Sequence, residues 1–302
     1  MRILEPLPGI LAFYDGRIAG QRFADGPNWV DDGALSLGIA SYALVSGSDA
    51  LVYDTHISTR HAAAIRYALE ARGVRRMRVV LSHWHLDHVA GNEVFADCEI
   101  IANTRTAEHL ARKKAAIEAG TEDGPPAIRP LVLPTTTFEA RTTISVGSRA
   151  VELIWADIHS DDGTVLWLPD TGTLLAGDTM EDTVTYVAEP DALERHLLHL
   201  DRLWELRPER ILPNHGKDTV IQAGGYSKAF VRATQQYIRA LLRCRDEPGH
   251  ASRPLRELIA GPLDAGWVHY FEPYEAVHRR NLGMVLGPAR LTEVGQGHAG
   301  EG

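Results

Sequence analysis

Cysteine is scarce in this chain of 302 residues, which contains only Cys98 and Cys244. Two cysteines cannot form a disulfide framework, and their separation does not match the spacing of zinc-binding cysteines. We therefore expect two reduced, partly buried thiols. No apolar run reaches the roughly 18 residues that cross a membrane, and the apolar segment 7–14 is too broken for a signal peptide. These absences favour a cytoplasmic enzyme or binding protein without membrane contact.

Basic residues are also in the minority. The chain has 31 Lys and Arg against 40 Asp and Glu, which gives a formal net charge of −9. Enzymes of nucleic acids usually present a basic patch to the phosphates. The densest basic group here is Arg75, Arg76 and Arg78, which we interpret as a solvated strand edge. The charge therefore disfavours a nucleic-acid partner and favours a small-molecule substrate.

Strand signals predominate up to about residue 216, and helix signals predominate after it. The segment ILAFYDGRIAG (10–20) predicts a hairpin that turns at Asp15 and Gly16. Asp191, with Glu194 three residues later, predicts a capping box for a helix that would leave His196 and His199 exposed. Further on, the aromatic run 267–274 could cover an active-site mouth, line a dimer interface or pack the helical tail onto the rest of the chain.

The segment LSHWHLDHVAGN (81–92) places three histidines and an aspartate within six positions. His83, His85 and Asp87 have the same parity, so an extended loop would point them to one side. His88 would then point to a second position. Imidazole nitrogens suit zinc or iron, and a carboxylate adds a charged oxygen ligand. A solvated polar loop is the alternative, but the buried strand that precedes the motif favours a metal site.

Three further candidate ligands follow predicted strands in the second half of the chain. His159 follows VELIWAD, Asp178 ends TLLAGD, and His215 follows RILPN. Each of them alone is weak support for a metal site. Because loops at strand ends gather along one edge of a sheet, their joint occurrence favours a shared site.

These segments together resemble the metallo-β-lactamase superfamily, through HWHLDH (83–88), His159, GD (177–178) and PNHG (213–216) in the order of the family. The resemblance covers roughly residues 35–216. It implies an α/β (α+β) fold, a four-layer αβ/βα sandwich, with 1–216 as the catalytic domain and 217–302 as a helical C-terminal extension packed on it. Asp178 stands where true β-lactamases have Cys or Ser, so the pattern is closer to glyoxalase II and lactonases.

The resemblance also implies a ligand set and two divalent metal ions, with zinc preferred and iron or manganese as alternatives. The first metal would be bound by His83, His85 and His159, the second by Asp87, His88 and His215, and both by Asp178. Asp87 would in addition orient a metal-bridging hydroxide and take its proton. Asp54 is a candidate acceptor of a hydrogen bond from one ligand imidazole, with a buried structural aspartate as the alternative.

The function implied by the resemblance is a dinuclear metal-dependent hydrolase of a small ester, thioester, lactone or amide. The alternatives are an iron-dependent persulfide or thiol dioxygenase, a phosphodiesterase or nuclease, and a binding module without catalysis. Trp84, Tyr186 and Lys217 lie near the predicted edge and are candidate substrate contacts. A homodimer formed through the C-terminal helices is a further expectation.

Overall fold

The computed structural model describes residues 1–296, without the side chains of 248 and 288–296. The end of the predicted extension 217–302 therefore lies outside the described residues. The two predicted free thiols are confirmed, since Cys98 is half-buried and Cys244 buried, and neither forms a disulfide.

The first sheet has seven strands that lie in chain order. They are β1 (Arg2–Leu7), β2 (Ile10–Asp15), β3 (Ile39–Ser46), β4 (Asp49–Tyr53), β5 (Arg76–Val80), β6 (Glu99–Asn103) and β7 (Thr136–Phe138). Strands β1 to β4 pair antiparallel, and β4 to β7 pair parallel. The parallel connections contain the helices α1 (Thr59–Glu70), α2 (Leu86–Val89) and α3 (Thr104–Ala119).

The second sheet has five strands: β8 (Arg141–Val146), β9 (Arg149–Trp155), β10 (Thr164–Leu168), β11 (Thr173–Gly177) and β12 (Arg210–Pro213). Strands β8 to β11 pair antiparallel in succession, and β12 adds to β11 in parallel. The connection from β11 to β12 contains the helix α4 (Leu193–Glu205).

The helices that follow the second sheet form the C-terminal part of the described chain. They are α5 (Asp218–Gln222), α6 (Ala229–Asp246), α7 (Pro248–Ala251), α8 (Leu255–Leu258), α9 (Ala260–Asp264) and α10 (Tyr274–Gln296), the last interrupted at Gly287. Among the described residues, no helix combines the length and the apolar character that a membrane span requires.

The alternation of side chains along β4 produces the layers of the fold. Leu51 and Tyr53 face the core between the two sheets, whereas Ala50 and Val52 face the core under α1 and α3. Every residue of β10 and β11 is buried, so these two strands of the second sheet are covered on both faces. The predicted sandwich of two sheets between helical layers is therefore confirmed.

The predicted hairpin at Asp15 and Gly16 is wrong. The turn lies at Pro8 and Gly9, between β1 and β2, where Gly9 supplies the positive φ of +75° that a tight turn requires. Asp15 instead ends β2, and its buried carboxylate forms an ion pair with the amino terminus at 2.9 Å and contacts Nε2 of His61 at 3.1 Å.

The predictions for α4 are wrong in two respects. The capping box does not form: the helix begins without a side-chain cap, and Glu194 pairs with Arg245 at 2.8 Å. His196 and His199 are buried rather than exposed. They lie on the face of the helix that also buries Leu193, because positions three and four apart share a face.

The aromatic run 267–274 packs the tail onto the loop that follows β11. His269 donates to Asp182 through its backbone N–H at 2.6 Å and contacts the same carboxylate through Nδ1 at 3.0 Å. The hydroxyl of Tyr274 donates to Glu181 at 3.1 Å. Of the three alternatives for this run, the structure therefore supports packing against the sandwich. The domain boundary at 216 and the homodimer stay predictions.

Candidate metal centre

The histidine motif follows β5, where the chain leaves the first sheet. His83 and His85 lie in the loop, and Asp87 and His88 lie in the helical turn α2. The expectation of an extended loop is therefore wrong for the second half of the motif. A helical turn rotates successive side chains by about 100°. Here it packs His88 against His83, with ring centroids 4.3 Å apart, and brings Asp87 and His88 together with His215 in a second group of ligands.

The other three candidate ligands come from the second sheet. His159 follows β9 in a left-handed conformation with φ of +72°, and Asp178 and His215 follow β11 and β12. Because β11 and β12 are parallel, their carboxyl ends meet at one edge. The backbone N–H of Asn214 donates to the carbonyl of Gly177 at 2.9 Å and holds the two loops together.

The structure brings the seven predicted ligands together as two groups of three around one aspartate. In the first group, Nδ1 of His85 lies 2.9 Å from Nε2 of His83 and 2.9 Å from Nε2 of His159. Ligands of a tetrahedral zinc, at about 2.0–2.1 Å from the metal, lie about 3.3 Å apart. The spacing of these three nitrogens is close to that of three ligands of one ion.

The second group has a similar spacing. Nε2 of His88 lies 3.4 Å from Oδ1 of Asp87, and Nε2 of His215 lies 3.3 Å from Oδ2 of Asp87. Both imidazoles are buried, whereas the carboxylate of Asp87 is 18% exposed. Asp87 is therefore the most solvent-accessible ligand of this group.

Asp178 lies between the two groups. Its Oδ2 is 3.1 Å from Nε2 of His88 and 3.4 Å from that of His215, and 3.8 and 3.9 Å from those of His83 and His159. Its Oδ1 is buried and has no hydrogen-bond partner among the described residues. A buried carboxylate oxygen without a partner is costly, so the residues present fit a cation at this position.

Four of the five ligand imidazoles are held through the nitrogen that points away from the cluster. The Nδ1 contacts are His83 with Ser82 Oγ at 2.9 Å, His88 with Asp54 Oδ2 at 2.9 Å, His159 with the carbonyl of Tyr186 at 3.0 Å, and His215 with the carbonyl of Gly38 at 2.8 Å. Such contacts fix the tautomer and orientation of metal-binding histidines. The cluster is therefore preorganised to present Nε2.

Asp54 lies next to a candidate ligand imidazole, that of His88. Its fully buried carboxylate also accepts the backbone N–H of Ser82 at 2.6 Å and the amide of Asn214 at 2.5 Å. Its backbone has φ of +66°, a conformation that costs free energy in a non-glycine residue and is concentrated at functional sites.

The electrostatics of the cluster favour positive charge at its centre. Burial lowers the pKa of His83 and His85, and the neighbouring imidazoles lower it further, so both rings are neutral and can offer a lone pair. Burial alone would also lower the pKa of His88 and His215, but Asp178 raises it well above its ordinary value. A divalent cation would meet the same attraction that draws protons to these two rings.

Two of the three predicted substrate contacts lie against ligand imidazoles. The ring of Trp84 packs edge-on against His85, with ring centroids 4.5 Å apart, and Tyr186 packs against His159 at 5.6 Å. Lys217 lies two residues after His215 and is half-buried; its backbone N–H donates to the hydroxyl of Tyr226. These positions make Trp84 and Tyr186 side walls of the metal cluster.

Sequence reasoning missed Glu181 and Asp162. Burial and the nearby Asp178 raise the pKa of Glu181 to about 8, and its carboxylate accepts the backbone N–H of Tyr186 at 2.9 Å. Asp162 is fully buried and accepts the backbone N–H of Trp84 at 2.9 Å. Both position wall residues, and nothing in the sequence distinguishes them from ordinary loop acids.

Residues 36–215 match the family model of the metallo-beta-lactamase superfamily. This match covers more than half of the chain and includes all seven candidate ligands, so the chain belongs to the metallo-beta-lactamase superfamily.

Curated relatives and solved structures agree with this assignment. The chain is 26% identical over 181 residues to the beta-lactamase-like protein 2 homolog of Caenorhabditis elegans, covering 59% of this chain and 56% of that protein. It is 27% identical over 184 residues to the homolog of Drosophila melanogaster, covering 59% of each. The match thus spans little more than half the length of these relatives.

A solved structure with the same fold is the metallo-beta-lactamase from Pontibacter korlensis. It superposes with a TM-score of 0.56 at 15% sequence identity, covering 76% of this chain and 98% of that one. At this identity the likeness supports the fold and not the substrate.

Proposed function

We propose that this protein is a dinuclear metal-dependent hydrolase that cleaves a small ester, thioester, lactone or amide. The observation that carries the proposal is the position of Asp178, whose Oδ2 lies within 3.9 Å of imidazole nitrogens from both ligand groups. A shared carboxylate between two three-ligand groups is the arrangement that two adjacent cations require.

Two divalent cations in such a site supply Lewis acidity and lower the pKa of a bound water toward neutrality. Zinc is the preferred metal, with iron and manganese as alternatives. The chain's own contribution is to orient the reactants and to hold a proton. Burial alone would raise the pKa of Asp87, but His88 and His215 lower it below its ordinary value. Asp87 is therefore ionised and partly exposed, and we assign to it the orientation of a water and the acceptance of its proton.

The aromatic side chains beside the cluster are the proposed substrate contacts. Trp84 and Tyr186 would contact the substrate near the first ligand group, since each ring already packs on an imidazole of that group. Lys217, near His215, would bind a substrate oxygen. These substrate contacts are proposals that rest on position.

Two other reactions have less support. An iron-dependent dioxygenase of this fold would not need the second ligand group, which is complete here. A nuclease would need a basic surface, but the chain carries a formal charge of −9. Arg76, in the densest basic group, is paired with Asp49 at 2.7 Å.

Metal removal and reconstitution test the proposal directly. Protein stripped by a chelator would be reloaded separately with zinc, manganese or iron and assayed on a panel of thioester, lactone, β-lactam, phosphodiester and persulfide substrates. We expect no turnover without metal and restored hydrolysis of an acyl substrate after reloading. Full activity in stripped protein would overturn the proposal. So would turnover restricted to the phosphodiester, or oxygen uptake with the persulfide.

A further inference from the structure

A second group of metal-binding side chains lies outside the dinuclear cluster. Asp157, Glu189 and His196 offer donor atoms that all lie within 4.8 Å of one another. They come from three separate segments: the loop after β9, the turn before α4, and α4 itself. The fold therefore brings together two carboxylates and an imidazole that are distant in sequence.

The atoms that face each other in this group have no partner among the described residues. Oδ1 of Asp157, Oε2 of Glu189 and both ring nitrogens of His196 are buried and form no hydrogen bond. The His196 side chain is 1% exposed. Buried polar atoms are nearly always satisfied by protein, water or an ion. One such atom from each of the three side chains, with Nε2 from His196, therefore indicates a missing ligand.

The remaining atoms of the same side chains are already engaged. Oδ2 of Asp157 accepts a hydrogen bond from Arg195 at 2.5 Å, and Oε1 of Glu189 accepts the backbone N–H of Asp161 at 2.9 Å. These contacts orient the free oxygens inward. Nε2 of His196 lies 3.6 Å from Oδ1 of Asp157, which is too long for a direct hydrogen bond but suitable for two ligands of one ion.

We propose that Asp157, Glu189 and His196 form a third divalent-cation site, separate from the dinuclear centre. One imidazole nitrogen and two carboxylate oxygens are a ligand set for zinc or manganese, with water completing the coordination. The site goes beyond the proposed hydrolase activity, because it uses none of the seven residues assigned to the dinuclear cluster.

An ion in this site would position His159. Asp157 precedes His159 by two residues, and the N–H of Ala188, next to Glu189, donates to the carbonyl of His159 at 3.0 Å. The ion would therefore connect two segments, one with Asp157 and one with Glu189, to His196 on α4. Both of these segments position His159. It acts through that backbone and takes no part in bond cleavage.

The metal content of the full-length protein provides the first test. Protein reloaded with zinc or manganese and then desalted should hold about three ions per chain rather than the two of a dinuclear enzyme. Crystals measured at the absorption edge of the metal should give an anomalous peak enclosed by Asp157, Glu189 and His196. Electron density between the three side chains without anomalous signal would indicate water and would overturn the proposal. A content of about two ions per chain would also overturn it.

The variant Glu189→Gln separates the third site from the dinuclear one. Glutamine keeps the size of the side chain and an oxygen for the N–H of Asp161, but it removes the charge. The variant should lose one ion and its anomalous peak, and it should keep both peaks at the dinuclear cluster. His278→Gln is the matched control, because His278 is also buried with an unpartnered nitrogen but belongs to no such group; it should keep all three ions.

The outcome is independent of the hydrolase proposal. If no acyl substrate is cleaved but the anomalous peak appears between the three side chains, the hydrolase proposal fails and the third site stands. If hydrolysis is found and this peak is absent from the unmodified protein, the third site is wrong and the hydrolase proposal stands.

Discussion

The two proposed metal sites of this protein, the dinuclear cluster and the third group, differ in how their imidazoles are held. In the dinuclear cluster, four rings have Nδ1 engaged by the surrounding structure and Nε2 directed to the shared centre. In the third group, His196 has neither nitrogen engaged. Protein contacts thus orient four of the five imidazoles in the first cluster, whereas in the third group they orient the two carboxylates but not His196.

This difference predicts different responses to metal removal. The dinuclear ligands should keep their places without metal, because their hydrogen bonds to Asp54, Ser82, Tyr186 and Gly38 remain. Removal of an ion from the third group would leave two carboxylates facing each other near a buried imidazole, and like charges in a buried site repel. The side chains of Asp157, Glu189 and His196 should therefore change position on metal removal, whereas the dinuclear ligands should not.

The largest effect is expected from Asp178→Ala, which removes the ligand common to both ions. We expect turnover to fall by about a thousandfold, roughly 4 kcal/mol of transition-state stabilisation, together with loss of metal from the dinuclear cluster. The measurements are kcat at saturating metal and metal content per chain. Asp170→Ala is the control, because that aspartate forms an exposed pair with Arg149 and should leave both values unchanged.

A smaller effect is expected from Asp54→Asn, which keeps the shape of the side chain and tolerates a positive φ. It would weaken the hold on His88, and the loss of such a contact typically reduces metal affinity 10- to 100-fold. Competition with a chromophoric chelator measures this affinity. An unchanged metal affinity would show that the contact with Asp54 does not orient His88 for metal binding.

Much of the dinuclear cluster could be predicted from the sequence because its ligands follow strand ends. His83, Asp178 and His215 each come within three residues of a buried strand, and the family motif supplies their order. The helical turn at Asp87 and His88 was not predicted, since a four-residue helix has too few positions to produce a periodic pattern.

The third group could not be predicted because its residues follow no shared pattern. His196 was interpreted as exposed, since the apolar residues of α4 already account for an amphipathic helix. Its burial depends on the packing of α4 against the second sheet, which is a tertiary contact. Glu189 and Asp157 likewise resemble ordinary loop acids until the chain is folded.

Both clusters depend on the segment 178–189, which the C-terminal tail holds through Asp182. Asp182→Ala would leave the backbone N–H of His269 and the hydroxyl of Tyr226 without their acceptor. We expect the free energy of unfolding to fall by about 2 kcal/mol, measured by chemical denaturation. Asp264→Ala, an exposed change on α9, should leave it nearly unchanged. Equal stability of the two variants would contradict a role of the tail in holding this segment.

The smallest effect is expected at His278, a buried histidine whose Nδ1 contacts the hydroxyl of Tyr237 at 3.0 Å and whose charged neighbours are Glu275 and Arg279. Burial lowers its pKa to about 4, below the ordinary value near 6.5, so the unfolded chain binds its proton more tightly. Its stabilising contribution is complete above about pH 6.5 and is lost as the pH falls toward 4. Between about pH 7.5 and 5.5 this one group should cost about 1 kcal/mol of unfolding free energy.

Denaturation of metal-loaded protein at both pH values should show this loss, and His278→Gln should lose about 1 kcal/mol less over the same range. An identical pH dependence in the two proteins would mean that His278 keeps its proton when folded, and that burial alone does not keep a histidine of this fold neutral.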